Sequence, residues 1–216
     1  MSARRGLLAG SAPICDPEFI RRELGRGRWL VIAANGGRRH LDALGIPPDV
    51  AIGDFDSAPA RPRGAAARRE LKYPREKDET DLELAFAHAF GPGRVEQVTV
   101  IGALGARFDH TLTNLNLGAR WARRGFGVTF LDGTMRVRFA TAARPLALAR
   151  QSEFDTVSLI PHSAAVRGIT TRGLAYPLVD DVLRRDRGRG VSNFLTGRQG
   201  EIRLGSGLLM VIETRA

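Results

Sequence analysis

Lysine and cysteine are nearly absent from this 216-residue chain, and aromatic residues make up only 6% of it. Because Cys15 is the only cysteine, the chain cannot form an internal disulfide. No apolar run approaches the ~20 residues that a membrane-spanning helix needs, and the apolar stretch near the start is too short for a signal peptide. We therefore expect a cytoplasmic protein with no membrane segment, whose core is built without cross-links.

The common nucleotide-binding and catalytic signatures are also missing. Neither Lys72 nor Lys77 stands in a GxxxxGK[ST] loop, no GxGxxG follows a predicted strand, there is no GxSxG elbow, and the four histidines lack zinc-site spacing. The basic residues are almost all arginine, 31 of 33, and the net charge is +10. Such a charge attracts phosphate, but no recognition motif accompanies it, so we expect no specific nucleic-acid partner.

The first 133 residues alternate short apolar runs with amphipathic segments. The pattern predicts a helix that begins at Asp16-Pro17 and further helices over 38–44, 80–90 and 109–123. It predicts strands over 29–34, 50–52, 98–101 and 128–131. Strands separated by helices pair in parallel, so this part of the chain predicts a Rossmann-like α/β domain with a parallel sheet.

Beyond residue 133 the pattern changes to short strands punctuated by Gly, Pro and Ser. Strands are predicted over 135–140, 146–149, 154–160, 166–171, 202–204 and 208–212. Strands at such regular spacing, without long helices, are typical of a small β-sandwich. We therefore predict an α/β domain over 1–133 and an all-β sandwich domain over 134–216.

Two carboxylates follow the predicted strand over 50–52. Asp54 and Asp56 are two residues apart, and in an extended segment such residues face the same side while Phe55 points away. Neighbouring carboxylates repel each other, and a hard cation such as Mg²⁺ relieves that cost. A solvated, Asp-rich turn is the alternative interpretation.

A second acidic stretch, over 77–83, leads into the helix over 80–90. Thr80 and Glu83 have the spacing of a capping box, which is a structural role. Asp81 lies in the first helical turn, Asp78 comes just before the cap, and Lys77 offers a compact charge to phosphate. Any one of these could be a surface residue, but four aspartates in two strand-to-helix loops favour a divalent-metal and polyphosphate site.

Glycine-rich turns follow two other predicted strands. The glycines of Asn35-Gly36-Gly37 would let backbone N–H groups approach an anion, although glycine pairs also end many strands. The segment over 102–110 could wrap a nucleotide, with Arg107 on phosphate. Asp109 is equally a candidate N-cap, and His110 could contact a substrate or simply begin a helix.

Taken together, these strings resemble the thiamine pyrophosphokinase family, in the same order and at similar spacings. In the first half the resemblance rests on residues 33–37, 45–57, 77–83 and 102–110. In the second half it rests on residues 157–161, 168–178 and 190–193. It covers about residues 29–212 of the chain.

The resemblance implies a two-domain homodimer that transfers the diphosphoryl group of ATP to the hydroxyl of thiamine, giving thiamine diphosphate and AMP. It implies that four carboxylates organise Mg²⁺ and the phosphates: Asp54, Asp56, Asp78 and Asp81. It implies ATP contacts from Asn35, Gly36, Gly37, Lys77, Thr80, Arg107, Asp109 and His110. The β domain would bind thiamine through Ser192 and Asn193, with active sites near the subunit interface.

The chain departs from the family pattern at two positions. Asn35 stands where the family usually has Asp, which keeps an oxygen ligand but removes a charge, and Ala106 stands where glycine is common. The hydroxyl proton could go to Asp54, Asp56 or Asp109. The alternatives are a diphosphokinase on the same scaffold that acts on a pterin alcohol, and a non-catalytic sensor of thiamine or nucleotides, for which Asn35 is the one hint.

Overall fold

A computed structural model describes residues 4–25, 27–55, 66–105, 107–149 and 154–215. The chain divides into two compact units, the first formed by residues 1–117 and 130–133 and the second by 118–129 and 134–216. The described helices are α1 (Pro17–Leu24), α2 (Arg38–Leu44), α3 (Asp81–Phe90) and α4 (Phe108–Arg123). Among the described residues, no helix is both long enough and apolar enough to cross a membrane.

The first unit is built on a parallel sheet. Its strands are β1 (Arg5–Ala9), β2 (Trp29–Ala34), β3 (Val50–Gly53), β4 (Arg69–Lys72) and β5 (Gln97–Ile101). They lie in the order β4-β3-β2-β1-β5, and each pair is parallel. The predicted parallel α/β architecture is therefore confirmed. The unpredicted β1 lies inside this sheet, between β2 and β5.

Local sequence explains where two of the helices begin. The Asp16 carboxylate accepts a hydrogen bond from the backbone N–H of Phe19 at 2.9 Å, and Pro17 follows as the first residue of α1. At α3, Thr80 Oγ1 accepts from the N–H of Glu83 at 3.2 Å, as the capping-box spacing predicts. Both helices then bury one apolar face, and α3 packs against β1, β2 and β3.

The loops that leave the carboxyl ends of β1, β2 and β5 lie in direct contact. The N–H of Gly10 donates to Ile101 O, and the N–H of Ala12 donates to Gly102 O, each at 2.8 Å. A side chain at Gly37 would put its Cβ 1.9 Å from Ala9 O, so only glycine permits this approach. Close backbone contact therefore concentrates three loops at one edge of the sheet.

The second unit contains two antiparallel groups of strands. In the first, β13 (Leu209–Thr214) lies between β7 (Met135–Ala140) and β9 (Thr156–Pro161). The second has the order β11 (Asp181–Arg184), β10 (Ala165–Arg172), β12 (Gln199–Arg203) and β8 (Leu146–Ala149). The remaining strand, β6 (Gly127–Leu131), crosses the boundary between the units.

One apolar core draws on both groups of strands, as in a sandwich. Its buried members are Ala140, Leu148, Val157, Leu159, Val166, Ile169, Leu174, Leu178, Leu183, Leu195, Ile202, Leu204, Leu209 and Val211. The prediction of a β-sandwich in the second half of the chain is therefore confirmed.

A charged cluster lies beside this core. Glu213 is only 1% exposed, and its carboxylate accepts two hydrogen bonds from Arg136, at 2.7 and 2.8 Å. Arg138 donates two more, at 2.8 and 3.1 Å. Burial alone would raise the pKa of Glu213, but the hydrogen bonds and charges of Arg136 and Arg138 together hold it below its ordinary value. The cluster joins β13 to β7.

Candidate functional site

A cavity of about 480 Å³ opens in the first unit, beside the loops that follow β1, β2, β3 and β5. Parallel strands deliver their following loops to one edge of the sheet, which is where α/β proteins bind ligands. Its described lining comprises Gly10, Ser11, Ala12, Pro13, Ala34, Asn35, Asp54, Arg75, Lys77, Glu79, Thr80, Asp81, Leu82, Gly102, Gly105, Arg107, His110 and Asn114. Seven of these are residues that the sequence predicts for the site: Asn35, Asp54, Lys77, Thr80, Asp81, Arg107 and His110.

The cavity carries balanced charge of both signs. Three of its described lining residues are acidic, Asp54, Glu79 and Asp81, and three are basic, Arg75, Lys77 and Arg107. A lining of this kind offers oxygen ligands to a cation and positive groups to an anion. It is therefore chemically suited to a cation–polyphosphate pair.

Asn35 and Asp54 meet at this cavity from two neighbouring strands. Asn35 begins a one-turn 3₁₀-helix after β2 and has a φ of +45°, a backbone conformation that asparagine tolerates better than most residues. Its Nδ2 donates to Asp54 Oδ1 at 3.4 Å. The amide thus faces the carboxylate without the repulsion that a second carboxylate would bring.

The segment after Asp54 differs from the prediction. Phe55 has a φ of +59°, so the backbone is not extended there, and the argument that alternate residues face one side does not hold across it. A left-handed conformation is costly for a bulky residue and is found where the surroundings impose it. Asp56, the other predicted carboxylate of this loop, lies outside the described residues.

The acidic stretch before α3 contributes an ion pair. Lys77 Nζ lies 2.9 Å from Asp81 Oδ1, and the two side chains are only 13% and 20% exposed. Lys77 also donates to Pro74 O at 3.2 Å. Thr80 lines the cavity while it caps α3. Asp78, by contrast, is exposed and is not among the residues that line the cavity.

The prediction of Asp109 as an N-cap is wrong. The carbonyl of Arg107 accepts the N–H of Thr111 at 3.0 Å, so α4 begins one residue earlier, at Phe108. Asp109 instead pairs with Arg107 through two contacts, at 2.5 and 3.2 Å. The hydrogen bonds from Arg107 and from the N–H of His110 lower the pKa of Asp109. Arg107 lines the cavity, whereas Asp109 does not.

The glycine turn after β2 brings two strand ends close together. Gly36 and Gly37 do not line the cavity, although Asn35 beside them does. Gly37 is buried against the end of β1, where a side chain would collide with Ala9 O. It therefore serves close packing of two strand ends, and contact of this turn with an anion stays a prediction.

Sequence reasoning missed one wall of the cavity completely. Residues 10–13, here called the 10–13 loop, all line it, because they follow the unpredicted β1. Arg75, Glu79 and Asn114 were missed as well. Asn114 is buried on α4, where its Nδ2 donates to Ala103 O at 2.8 Å. Arg75 and Glu79 could have been predicted, because they lie close in sequence to the predicted site residues Lys77 and Thr80. Nothing in the sequence around Asn114 indicates a role in the cavity.

The described part of the chain contains no group of three or more His, Cys, Asp or Glu side chains that could hold a metal ion by themselves. Asp54 and Asp81 nevertheless face the same cavity. Mg²⁺ is commonly bound by one or two carboxylates together with substrate phosphates and water. The donor set therefore fits a magnesium ion that arrives with a polyphosphate.

In the second unit, Ser192 and Asn193 differ sharply in exposure. Ser192 is exposed with a φ of +58°, and its N–H donates to Ser158 Oγ at 3.1 Å. Asn193 is 4% exposed; its Oδ1 accepts the N–H groups of Tyr176 and Phe194, at 3.1 and 2.9 Å, and its Nδ2 donates to Tyr176 O at 2.8 Å. The Asn193 side chain is thus bonded to backbone on both of its polar atoms.

Asn193 fixes the backbone of two residues whose aromatic rings are exposed. Tyr176 is 67% and Phe194 46% exposed, and their rings meet edge to face at 6.2 Å. Exposed aromatic side chains that lie together are a common feature of interaction sites. Neither residue was predicted from the sequence, because a Tyr two positions before the buried Leu178 gives no periodic signal.

Comparison with known proteins assigns both halves of the chain to one family. Residues 22–130 match the family model "Thiamin pyrophosphokinase, catalytic domain", which spans about half of the chain. Residues 146–209 match "Thiamin pyrophosphokinase, vitamin B1 binding domain". Thiamine pyrophosphokinase of Bacillus subtilis (strain 168) is 28% identical over 188 residues, which cover 86% of this chain and 87% of the relative.

Solved structures share the fold. A crystal structure of thiamine pyrophosphokinase from Bacillus subtilis superposes with a TM-score of 0.83 at 23% identity, covering 98% of this chain and 99% of the other. One of thiamin pyrophosphokinase from Geobacillus thermodenitrificans gives 0.80 at 25% identity, covering 98% of each chain.

Proposed function

The chain belongs to the thiamin pyrophosphokinase family, and from this premise we propose how its residues divide the reaction between them. Enzymes of this family catalyse ATP-dependent diphosphoryl transfer to thiamine. We propose that an α/β catalytic domain over 1–133 binds ATP and Mg²⁺, and that a β domain over 134–216 binds thiamine. The products are thiamine diphosphate and AMP.

The observation that carries the proposal is the polar cavity of the first unit. Lys77, Arg107 and the nearby Arg75 supply positive charge to the phosphates of ATP, and Asn35, Thr80 and His110 supply hydrogen bonds. Transfer of a phosphoryl group depends mainly on positioning and on electrostatic stabilisation, which is what such a lining offers. Gly36, Gly37 and Asp109 support these groups from outside the cavity.

Asp54 and Asp81 are the described residues that would hold Mg²⁺, together with phosphate oxygens of ATP, and Asp56 and Asp78 are proposed as further carboxylates of the same loops. When bound, the ion neutralises charge on the phosphates during transfer. Lys77 orients Asp81 through their 2.9 Å contact. Asn35 orients Asp54, and as a neutral residue it adds no charge to the site.

In the reaction the thiamine hydroxyl oxygen attacks the β-phosphorus of ATP. The bond from that phosphorus to the oxygen shared with the α-phosphate breaks, and AMP leaves with that oxygen while the hydroxyl loses its proton. Asp109 is poorly suited to take this proton, because its pairing with Arg107 lowers its pKa.

We propose that thiamine contacts the surface around Ser192 and the rings of Tyr176 and Phe194. The thiazolium of thiamine is a cation, and cations bind over aromatic faces. Asn193 acts here by holding the aromatic residues rather than by touching the substrate. We also propose that the chain forms a homodimer, and that these exposed aromatic side chains lie near its interface. The proposed location is the cytoplasm, where ATP is available.

The direct test is AMP formation by the purified protein with ATP, Mg²⁺ and thiamine. We expect AMP and thiamine diphosphate in equal amounts, no AMP when thiamine is left out, and loss of turnover when EDTA removes the metal. Replacing thiamine by a pterin alcohol should give no product. Binding of thiamine without AMP formation would contradict the proposal and indicate a sensor instead.

A further inference from the structure

The 10–13 loop is held at four of its backbone groups, which belong to Gly10, Ser11 and Ala12. Gly10 N and Ala12 N donate to the carbonyls of Ile101 and Gly102, each at 2.8 Å. The two remaining bonds come from side chains of α2, since Arg39 Nη2 donates to Ser11 O and His40 Nε2 lies 2.7 Å from Ala12 O. A loop without regular structure is thus fixed on both of its sides.

His40 is the buried member of this arrangement. It is 8% exposed, and it is not among the residues that line the cavity, whereas Ala12 is. A carbonyl oxygen only accepts, so His40 must carry a proton on Nε2 and donate it. Burial lowers the pKa of His40, so the neutral ring with its proton on Nε2 is the form that makes this bond.

The His40 ring also leaves no room for a side chain at Gly102. Gly102 has a φ of +62°, and a Cβ there would lie 2.9 Å from His40 Cδ2, 2.4 Å from Gly10 O and 3.0 Å from Ala12 O. His40 therefore fills the space behind the contact between the loops after β1 and β5. Both of these loops line the cavity.

We propose that His40 is a positioning residue for ATP: by donating to Ala12 O it fixes the 10–13 loop as a wall of the nucleotide site. The inference rests on the proposed function, since it takes the cavity to be the ATP site. The loop would meet the nucleotide with its own exposed groups, among them Ser11, while His40 stays behind it. Loss of the bond then weakens ATP binding without changing the groups that act on phosphorus.

The test uses two substitutions of one residue. His40→Ala removes the donor and should raise both the KM and the dissociation constant for ATP about three- to tenfold, the range expected for one lost hydrogen bond. His40→Gln keeps an N–H that can reach Ala12 O and should stay within about twofold of the unaltered enzyme. For both variants kcat and the KM for thiamine should change less than about twofold.

His88→Ala is the matched control, because His88 is a half-buried helical histidine that does not line the cavity. An unchanged ATP dissociation constant in His40→Ala, or an equal change in His88→Ala, would overturn the inference. So would failure of His40→Gln to restore binding in a protein that melts normally. Calorimetry with ATP alone separates the two proposals: ATP binding without turnover refutes only the reaction, while absence of ATP binding refutes both.

Discussion

Charged side chains are used in opposite ways by the two units. In the second unit, the Glu213 carboxylate is 1% exposed and receives four hydrogen bonds from Arg136 and Arg138. In the first unit, Asp54 and Asp81 are half-buried and line a cavity. A carboxylate enclosed by arginines is committed to structure, whereas one at the end of a parallel strand beside a cavity can still serve a ligand.

The difference follows from the two kinds of sheet. Parallel strands deliver all their outgoing loops to one edge, so polar residues of distant sequence positions gather there without having to pair with one another. Antiparallel strands place residues directly opposite each other, and Arg136 lies opposite Glu213 in the register of β7 and β13. Substitutions at Glu213 and at Asp54 should therefore affect different properties of the protein.

The largest effect is expected on the stability of the second unit. Glu213→Gln removes the negative charge and leaves two arginines buried together, which should lower the free energy of unfolding by about 3–5 kcal/mol. Urea denaturation followed by circular dichroism measures it. Glu201→Gln is the control, since Glu201 makes a similar 2.7 Å pair with Arg203 in a more exposed place and its loss should leave the midpoint unchanged. If both substitutions lowered the free energy of unfolding equally, the buried pair would be no more important for stability than the exposed one.

Asp54→Asn should have the opposite profile, with a large effect on turnover and a small one on stability. We expect kcat to fall at least about a hundredfold, as when a group that stabilises transition-state charge is lost. The urea midpoint should stay close to that of the unaltered protein. Asp42→Asn, at an aspartate of the same unit that does not line the cavity, should retain full turnover. Wild-type rates in Asp54→Asn would remove this carboxylate from the site.

Tyr176→Ala probes the functional surface of the second unit. Loss of an aromatic face for a cation should raise the KM for thiamine about tenfold and leave the KM for ATP unchanged. Tyr176→Phe keeps the ring and should behave like the unaltered enzyme in steady-state assays. A rise in the KM for ATP instead would mean that the substitution acts through something other than thiamine.

The smallest effect concerns His162, whose Nδ1 lies 3.0 Å from Arg123 Nη2. Burial, followed by the charges of Arg123 and Arg185, lowers the pKa of His162. Because the folded protein holds this histidine neutral, stability should decline as pH falls below its ordinary pKa of 6.5. His162→Gln should show a smaller drop in melting temperature between pH 7.5 and 5.5. An identical drop in both proteins would assign the acid sensitivity to other groups.

Buried elements were predictable from sequence because their patterns are periodic. Three elements of the first unit were predicted to within a residue or two at the ends that the sequence marks. The proline after Asp16 marks the start of α1, the apolar run marks β2, and the cap at Thr80 marks the start of α3. The edge strands β4 and β11 were missed because RELK and DVLR are polar sequences on strands that are paired on one side only. β1 was missed because its apolar run is short and follows arginines.

The candidate site was predictable where charged residues follow a strand at a spacing typical of binding sites. Asp54, Lys77 and Asp81 were found because acidic loops after strands are informative. The 10–13 loop was not, because its role depends on which strand lies beside which, and that order is a property of the fold. Likewise, no sequence pattern distinguishes the buried Asn193 from a substrate-facing one; only its hydrogen bonds do.

The central position of β13 has a consequence for folding during translation. Among the described residues, β7 and β9 share no ladder except through this later strand, whose first residue is Leu209, while β9 ends at Pro161. At translation rates of about 5–20 residues per second, roughly 2–10 s pass between the synthesis of β9 and the synthesis of β13, with which it pairs. During that interval two apolar strand edges of the nascent chain stay open to mispairing, whereas β1 to β5 have all been made before residue 102. Chaperone demand should therefore concentrate on the second half of translation.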